Sequence, residues 1–344
     1  MKRQVIHVFN GFHSLYGGSE LEALALADQL RAQGTVKLWA ISARSSARLR
    51  EQYGIERMTL GHAGRLRFGS EAGSSGRAGA DTYVFVGAHW RNKLWPYVIP
   101  APRRLIYVFN TFHPKILSLT SQHPMLLRWP KTEYVFISDF QKILLDTPGV
   151  VHPSPIDVAC FTPAKKVANA SPVIGRLSRD FLGKHDLEDL ALYREWSGDG
   201  VQVRLQGATC LADRIAPGAH LELMSEGAMP AADFLRTLDI FYYRTGSMVE
   251  TFGRVVVEAM ACALPVVCHR RGGYADTIRH GENGFLFDTT EEARQIVREL
   301  LLRPDLRARI GANARRTVEA LYSCGELARR SQFYHGHAIA QEVA

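Results

Sequence analysis

Apolar, β-rich runs alternate with helical patterns along almost the whole chain. In the first half, residues 5–10, 36–42, 82–87, 105–110 and 134–138 read as strands. Between them, Leu21, Leu24, Ala25, Ala27 and Leu30 fall at helical spacing within 19–33. The second half repeats the scheme, with strands at 173–177, 201–206, 240–243, 266–268 and 285–287. Helical patterns there cover 231–238, 254–263, 291–302 and 305–321. Such alternation predicts an α/β protein with parallel sheets covered by helices on both faces. Pro148, Pro153, Pro155 and Pro163 form a proline-rich connection between the halves. Two doubly wound domains facing across a cleft are therefore expected, with ligands beyond the carboxyl ends of the strands. Residues 61–80, rich in Gly, Ser and Arg without periodicity, read as a mobile surface loop.

Composition narrows this only in part. The 344 residues exceed what one hydrophobic core usually covers. No apolar run approaches the roughly 18 residues of a membrane span. The opening segment is basic, then apolar only as far as His7, and reads as a first strand rather than a signal peptide. Five scattered cysteines without a C-x-x-C pair suggest neither a disulfide framework nor a zinc site, and a reducing cytoplasm fits. The charge is uneven: residues 1–150 hold 19 Lys and Arg against 10 Asp and Glu, and the remainder holds 23 against 24. A basic first half suits an anionic surface or acceptor, or is simply a solvated arginine-rich face. No nucleic-acid-binding motif accompanies it.

Candidate chemistry concentrates in the second half. Glu250 and Glu258 bracket Thr251, Phe252 and Gly253, and Glu258 lies inside the apolar run Val255-Val-Val-Glu-Ala-Met-Ala. A carboxylate in such a run either hides a salt bridge or aims at a ligand rich in hydroxyls or cations. Arg176, at the end of a strand, and Lys184, before the next helix, suit a diphosphate. Gly17 and Gly18 follow the first strand, where they could admit a ligand while Ser19 caps the helix. His113 and His89 each follow a strand and could hydrogen-bond a substrate hydroxyl. Gly272 and Gly273 could offer N–H groups to an anion, and Glu282-Asn-Gly284 is a hairpin-type turn signal. Aromatic and basic residues mix at 90–97 and 127–130, as a membrane interface, a sugar-binding wall or ordinary packing would require. No G-x-G-x-x-G, H-E-x-x-H or G-x-S-x-G is present, and no metal is implied.

Taken together, the E-x7-E element with Ala259-Met-Ala-Cys-Ala-Leu-Pro265, Gly272-Gly273, Gly281-Glu-Asn-Gly-Phe-Leu286, Gly175-Arg-Leu with Lys184, and Ser154-Pro-Ile-Asp157 resembles the GT-B-fold retaining glycosyltransferases of glycosyltransferase family 4 (group 1). The resemblance is strongest over 134–290. It implies two Rossmann-like domains, an acceptor-binding one at 1–152 and a nucleotide-sugar-binding one at 153–325. Residues 326–344 would form a helix returning to the first. It further implies that Glu258 accepts hydrogen bonds from the donor ribose and that Glu250 lies against the donor sugar, with Thr251, Phe252 and Gly253 in the same donor-binding loop. Arg176 and Lys184 would hold the diphosphate, His113 would approach the transferred sugar, and Gly17 and Gly18 the phosphates or acceptor. The implied partners are a UDP- or GDP-hexose and a lipid-linked or polysaccharide acceptor, with no cofactor and no essential metal. Peripheral contact with an anionic membrane from the cytoplasmic side is expected, and nucleic acid is not. Two departures stand out: Ala263 where members often carry Gly, and Arg244, which either touches the donor sugar or is solvated. A sugar-nucleotide epimerase or phosphorylase on the same fold, or a non-catalytic nucleotide-sugar binder, are the alternatives.

Overall fold

The computed structural model describes residues 5–14, 17–59, 81–87, 99–113, 129–164 and 172–336. The chain divides into two compact units, 1–155 with 324–344 and 156–323. The expected loop at 61–80, the aromatic segment at 90–97, the first half of that at 127–130, and His89 fall outside the described residues.

In the first unit the strands are β1 (Val5–Asn10), β2 (Thr35–Ala40), β3 (Glu56–Arg57), β4 (Thr82–Val86), β5 (Arg104–Phe109), β6 (Thr132–Phe136) and β7 (Val150–Val151). All pair parallel in the order β3-β2-β1-β4-β5-β6-β7. Helices α1 (Gly18–Arg31), α2 (Ala47–Tyr53) and α3 (Asp139–Leu145) connect them. The core is built on stacked aromatics, with Phe9 against Phe85 at 4.6 Å and Phe85 against Tyr107 at 5.1 Å. Phe9, Phe85 and Tyr107 are register partners on adjacent strands, so their rings stack along one face of the sheet.

The second unit has the same winding. Strands β8 (Val173–Leu177), β9 (Gln202–Gln206), β10 (Leu221–Met224), β11 (Ile240–Tyr243), β12 (Val266–His269) and β13 (Phe285–Phe287) run parallel in the order β10-β9-β8-β11-β12-β13. Its helices are α4 (Asp189–Gly198), α5 (Ala231–Arg236), α6 (Arg254–Ala261), α7 (Thr290–Leu302) and α8 (Pro304–Leu321). Helix α9 (Cys324–His335) belongs to the first unit. It is held there by Gln29 Nε2 donating to the Leu327 carbonyl at 3.0 Å and by Arg104 Nη1 donating to the Tyr334 carbonyl at 3.2 Å. Among the described residues no helix is long and apolar enough to cross a membrane. All five cysteines are described and none forms a disulfide.

The elements missed in the sequence are short or lie at sheet edges. β3 is two exposed residues, and β10 buries only its first residue fully. Such strands carry no period to read. The Asn283 turn is not a hairpin, because β13 joins β12 in parallel. Instead, Asn283 Nδ2 donates to the Thr277 carbonyl at 3.1 Å and to Thr317 Oγ1 at 2.9 Å, sealing the turn against α8. Between β12 and that turn the chain forms a 3-10 turn over Gly273–Thr277.

Ala263 is a point of strain. It follows α6 with φ +57°, a left-handed conformation that glycine adopts freely and alanine does not. Replacing it with glycine relieves a Cβ clash of about 1 kcal/mol, partly offset by the freer unfolded chain. Ala263→Gly is thus expected to raise the melting temperature by a few degrees; a lower value would contradict the strain.

Candidate active site

In the second unit the strand order reverses between β8 and β11. Open parallel sheets receive ligands at that position, beyond the carboxyl ends of the strands. The segments leaving these two strands carry the sequence-predicted residues. β8 runs through Arg176 and leads to a 3-10 turn at Leu182–Lys184. β11 ends at Tyr243, and the chain then passes Glu250 before entering α6. Gly253 makes that entry at φ +80°, where a Cβ would come 2.5 Å from the Tyr274 ring, so only glycine fits.

Four residues close a ring. Lys184 Nζ pairs with Glu250 Oε1. The Tyr243 phenol donates to the same oxygen at 2.7 Å. The Arg176 guanidinium lies 5.0 Å over the Tyr243 ring, and its Nη2 donates to the Lys184 carbonyl at 2.6 Å. Burial and then the Glu250 carboxylate raise the Tyr243 pKa well above its ordinary value, so the phenol remains a donor. Arg176 is 0% exposed, and its Nη1 donates to the Arg244 carbonyl at 2.8 Å. In this conformation its guanidinium presents no face to solvent, and what it fixes is the main chain on either side of the Lys184–Glu250 pair. Thr251 is half-buried and Phe252 buried in the same loop.

Glu258, on α6, is the buried carboxylate noticed in the sequence. It is 6% exposed, and burial raises its pKa against the pull of Arg254. Arg254 Nη2 stands 3.6 Å from Oε1, one helical turn earlier. Among the described residues no hydrogen bond reaches the Glu258 carboxylate. A buried acid with only a loose ion pair has unmet capacity to accept hydrogen bonds.

Two readings of neighbouring residues need correction. The Gly273 N–H donates to the Glu250 carbonyl at 2.9 Å, so it is not open to an anion. Arg244 is buried, not solvated: its guanidinium lies among Asp186, Glu188 and Asp189. Those three acids share this cation. Asp189 is 0% exposed, accepts the Tyr242 hydroxyl at 2.7 Å, and has its pKa pushed up to about 7 by burial.

In the first unit the equivalent reversal lies between β1 and β4. Asn10 ends β1, and its side-chain amide donates to Ser19 Oγ at 2.8 Å and to the Val86 carbonyl at 3.1 Å. Gly17, not Ser19, is the N-cap of α1, and Ser19 Oγ is a partner of Asn10 instead. A Cβ at Gly18 would meet nothing within 4 Å, so its backbone borders open space. His113 is exposed beyond β5. The backbone leading to it is fixed by a residue the sequence reading missed. Gln141 is fully buried on α3, and its amide donates to the carbonyls of Phe109 at 2.6 Å and Thr111 at 2.9 Å. The Ser138-x-x-Gln141 spacing was its one signal: the Ser138 hydroxyl accepts from the Gln141 N–H at 3.1 Å, as in a capping box.

Comparison with known proteins follows this geometry. The chain has the GT-B fold: it is similar to the structure of Anabaena Alr3699/HepE in complex with UDP, with a TM-score of 0.75 and 18% identity over 97% of this chain and 100% of that one. WaaG, a glycosyltransferase involved in lipopolysaccharide biosynthesis, is similar with a TM-score of 0.65 and 14% identity over 96% of this chain and 100% of that one. Residues 226–317, which contain Glu250 and Glu258, match the family model described as glycosyl transferases group 1. Within the curated proteins, N-acetyl-alpha-D-glucosaminyl L-malate synthase of Bacillus anthracis is 42% identical over 72 residues, 20% of this chain and 19% of that protein. D-inositol 3-phosphate glycosyltransferase of Rhodococcus jostii is 34% identical over 118 residues, 30% of this chain and 26% of that protein. The matches therefore span 19% to 26% of those two relatives' lengths.

The buried Asp189 gives a pH dependence of stability. Its folded-state pKa, about 7, lies above the ordinary 3.8. Its contribution to stability is thus fully present below the lower value and declines as pH rises toward the higher one. Asp189→Asn retains an acceptor for Tyr242 and removes the titration. The melting temperature of the wild type should fall relative to the variant between about pH 4 and pH 7; parallel curves would show that Asp189 is not a protonated acid in the fold.

Proposed function

We propose that the protein is a retaining, metal-independent hexosyltransferase that moves a hexose from a UDP- or GDP-sugar to a lipid-linked or polysaccharide acceptor. The observation that carries this reading is Glu258, a buried carboxylate without a hydrogen bond among the described residues, on the helix that follows the Lys184–Glu250 pair. A ribose offers two adjacent hydroxyls, which is what such an acid lacks. Charge-assisted hydrogen bonds contribute about 1.5–3 kcal/mol each, enough to repay part of the carboxylate's burial. The group 1 match over 226–317 and the likeness to structures holding UDP-glucose and UDP support the same choice of ligand.

In this reading Lys184 neutralises charge on the departing nucleoside diphosphate, the electrostatic contribution that dominates many transfer reactions. Tyr243 and Lys184 both hold Glu250 Oε1, which leaves its other oxygen for a sugar hydroxyl. Arg176 acts from behind, through the Lys184 carbonyl and the Tyr243 ring. The acceptor hydroxyl attacks the face from which the nucleotide leaves, and its proton passes to the departing phosphate, so no carboxylate nucleophile is required. His113 and the Gly17–Gly18 backbone serve the sugar and acceptor from the first unit. The basic excess of residues 1–150 favours an acceptor at an anionic bilayer, reached from the cytoplasmic side.

Calorimetric titration with UDP and GDP, with and without chelator, tests the donor. One nucleotide should bind selectively, and chelator should leave the affinity unchanged. Glu258→Ala should weaken it by roughly 10- to 100-fold, the loss of one or two charge-assisted hydrogen bonds. The variant should melt no lower than wild type, because the acid it removes is held in the fold against desolvation. Undiminished affinity in this variant would remove Glu258 from the site, and binding of neither nucleotide by the wild type would overturn the donor reading.

A further inference from the structure

Arg244 stands at the start of the loop that runs from β11 to Glu250. Its guanidinium is shared by three carboxylates: Asp186 at 3.0 Å, Glu188 at 2.8 Å and Asp189 at 3.5 Å. Its Nη1 also donates to Thr290 Oγ1, at the start of α7, at 3.0 Å. Asp186 and Glu188 lie two and four residues beyond Lys184, on the connection into α4. The main chain of Arg244 takes part as well, since its carbonyl accepts from Arg176. One residue therefore ties the segment carrying Lys184 to the segment carrying Glu250, in addition to their own ion pair.

The two loops touch along their backbones too. Met248 N–H donates to the Gly183 carbonyl at 3.1 Å, and Gly246 lies so close to the His185 carbonyl that a side chain would not fit. Backbone contact alone leaves loops free to slide, because a single hydrogen bond exposed at a loop tip opens readily. A planar guanidinium bonded on several edges does not permit sliding without breaking charged contacts. The lysine and glutamate need such support. Lys184 has a long flexible stem, and its partner sits in a different loop.

We propose that Arg244 is a positioning residue, a latch that holds the Lys184 turn in register with the Glu250 loop so that both side chains meet the donor already paired. The inference rests on the donor reading for Lys184 and Glu250, and goes beyond it by assigning a role to a residue whose guanidinium is engaged by carboxylates of the protein itself. Arg244 acts through Asp186 and Glu188 on Lys184, and through its carbonyl on Arg176.

The test compares wild type, Arg244→Met, Arg244→Lys and the double variant Asp186→Asn with Glu188→Gln. Acetylation of Lys184 by an N-hydroxysuccinimide ester, followed by peptide mass spectrometry, reports whether its turn stays closed. The exposed Lys37 and Lys131 serve as references. In Arg244→Met, Lys184 should react about fivefold faster with the references unchanged, as expected for local opening. Arg244→Lys should bring the rate most of the way back, because it restores the charge. Unchanged labelling in Arg244→Met overturns the latch, as does a rise that Arg244→Lys leaves untouched, which would make the position one of packing. Should Arg244→Met not fold, the double variant removes the carboxylate arms and is read by the same criteria.

UDP and GDP titrated into these proteins separate this inference from the one beneath it. A wild type that binds neither nucleotide sinks the donor reading, while labelling still decides the latch. If the wild type binds one, Arg244→Met, assayed well below its own melting temperature, should bind it roughly tenfold more weakly. Equal affinity would overturn the positioning role.

Discussion

The second unit depends on a guanidinium that no water reaches. Placing Arg176 in the interior costs several kcal/mol in lost hydration, and the fold must return that through fixed partners. It does so with the carbonyls of Lys184 and Arg244 and the face of Tyr243. The carbonyls belong to two different loops, so satisfying one buried charge also fixes the relative position of both. The Lys184–Glu250 pair follows from that arrangement, and so does the geometry of the Tyr243 hydroxyl. Loss of Arg176 would leave two inward-facing carbonyls without a donor, at about 1–3 kcal/mol each.

The two units share one winding but treat their reversal points differently. In the first, neutral amides join the strand ends: Asn10 binds Ser19 and the Val86 carbonyl, and Gln141 binds the carbonyls of Phe109 and Thr111. In the second, the same task falls to Arg176, Lys184, Glu250 and Arg244. Amides can hold a backbone without setting up a field. Ion pairs at a strand end set up a field as well, and a field serves a charged ligand. The contrast gives a physical reason to place the diphosphate in the second unit, independent of any motif.

Much of this was legible in the sequence because burial leaves a period. Strands at 173–177, 240–243 and 285–287 agree with β8, β11 and β13 to the residue, each a compact β-prone run bounded by turn signals. The E-x7-E spacing exposed Glu258 because an acid in an apolar run contradicts its surroundings. What stayed hidden depended on direction rather than type. Nothing in the string shows that Arg176 points inward, that the Gly273 N–H is already bonded, or that Arg244 turns toward acids some sixty positions earlier. Helix α3 was hidden for a related reason: its buried residue is the polar Gln141, while Ile143 is 77% exposed, the reverse of an amphipathic pattern.

Two buried acids in this unit show how structure can distinguish a fold's internal acid from one suited to a ligand. Asp189 and Glu258 both have raised pKa values, and in both burial is the largest cause. Their surroundings differ. Asp189 has no exposed surface, accepts a hydroxyl from Tyr242 and lies beside Arg244. Only Oδ1 is held in this way; Oδ2 is buried without a hydrogen-bond partner among the described residues, a place suited to a carboxyl that keeps its proton away from solvent. Glu258 is 6% exposed, and among the described residues its one charged partner is Arg254, a helical turn away at 3.6 Å. A protein has little reason to bury an acid, leave it without a hydrogen bond, and keep a path to it, unless binding restores what folding removed. Ligand binding would then draw Glu258 back toward its ionised form, coupling affinity for a hydroxyl-rich ligand to the release of any proton the empty site holds.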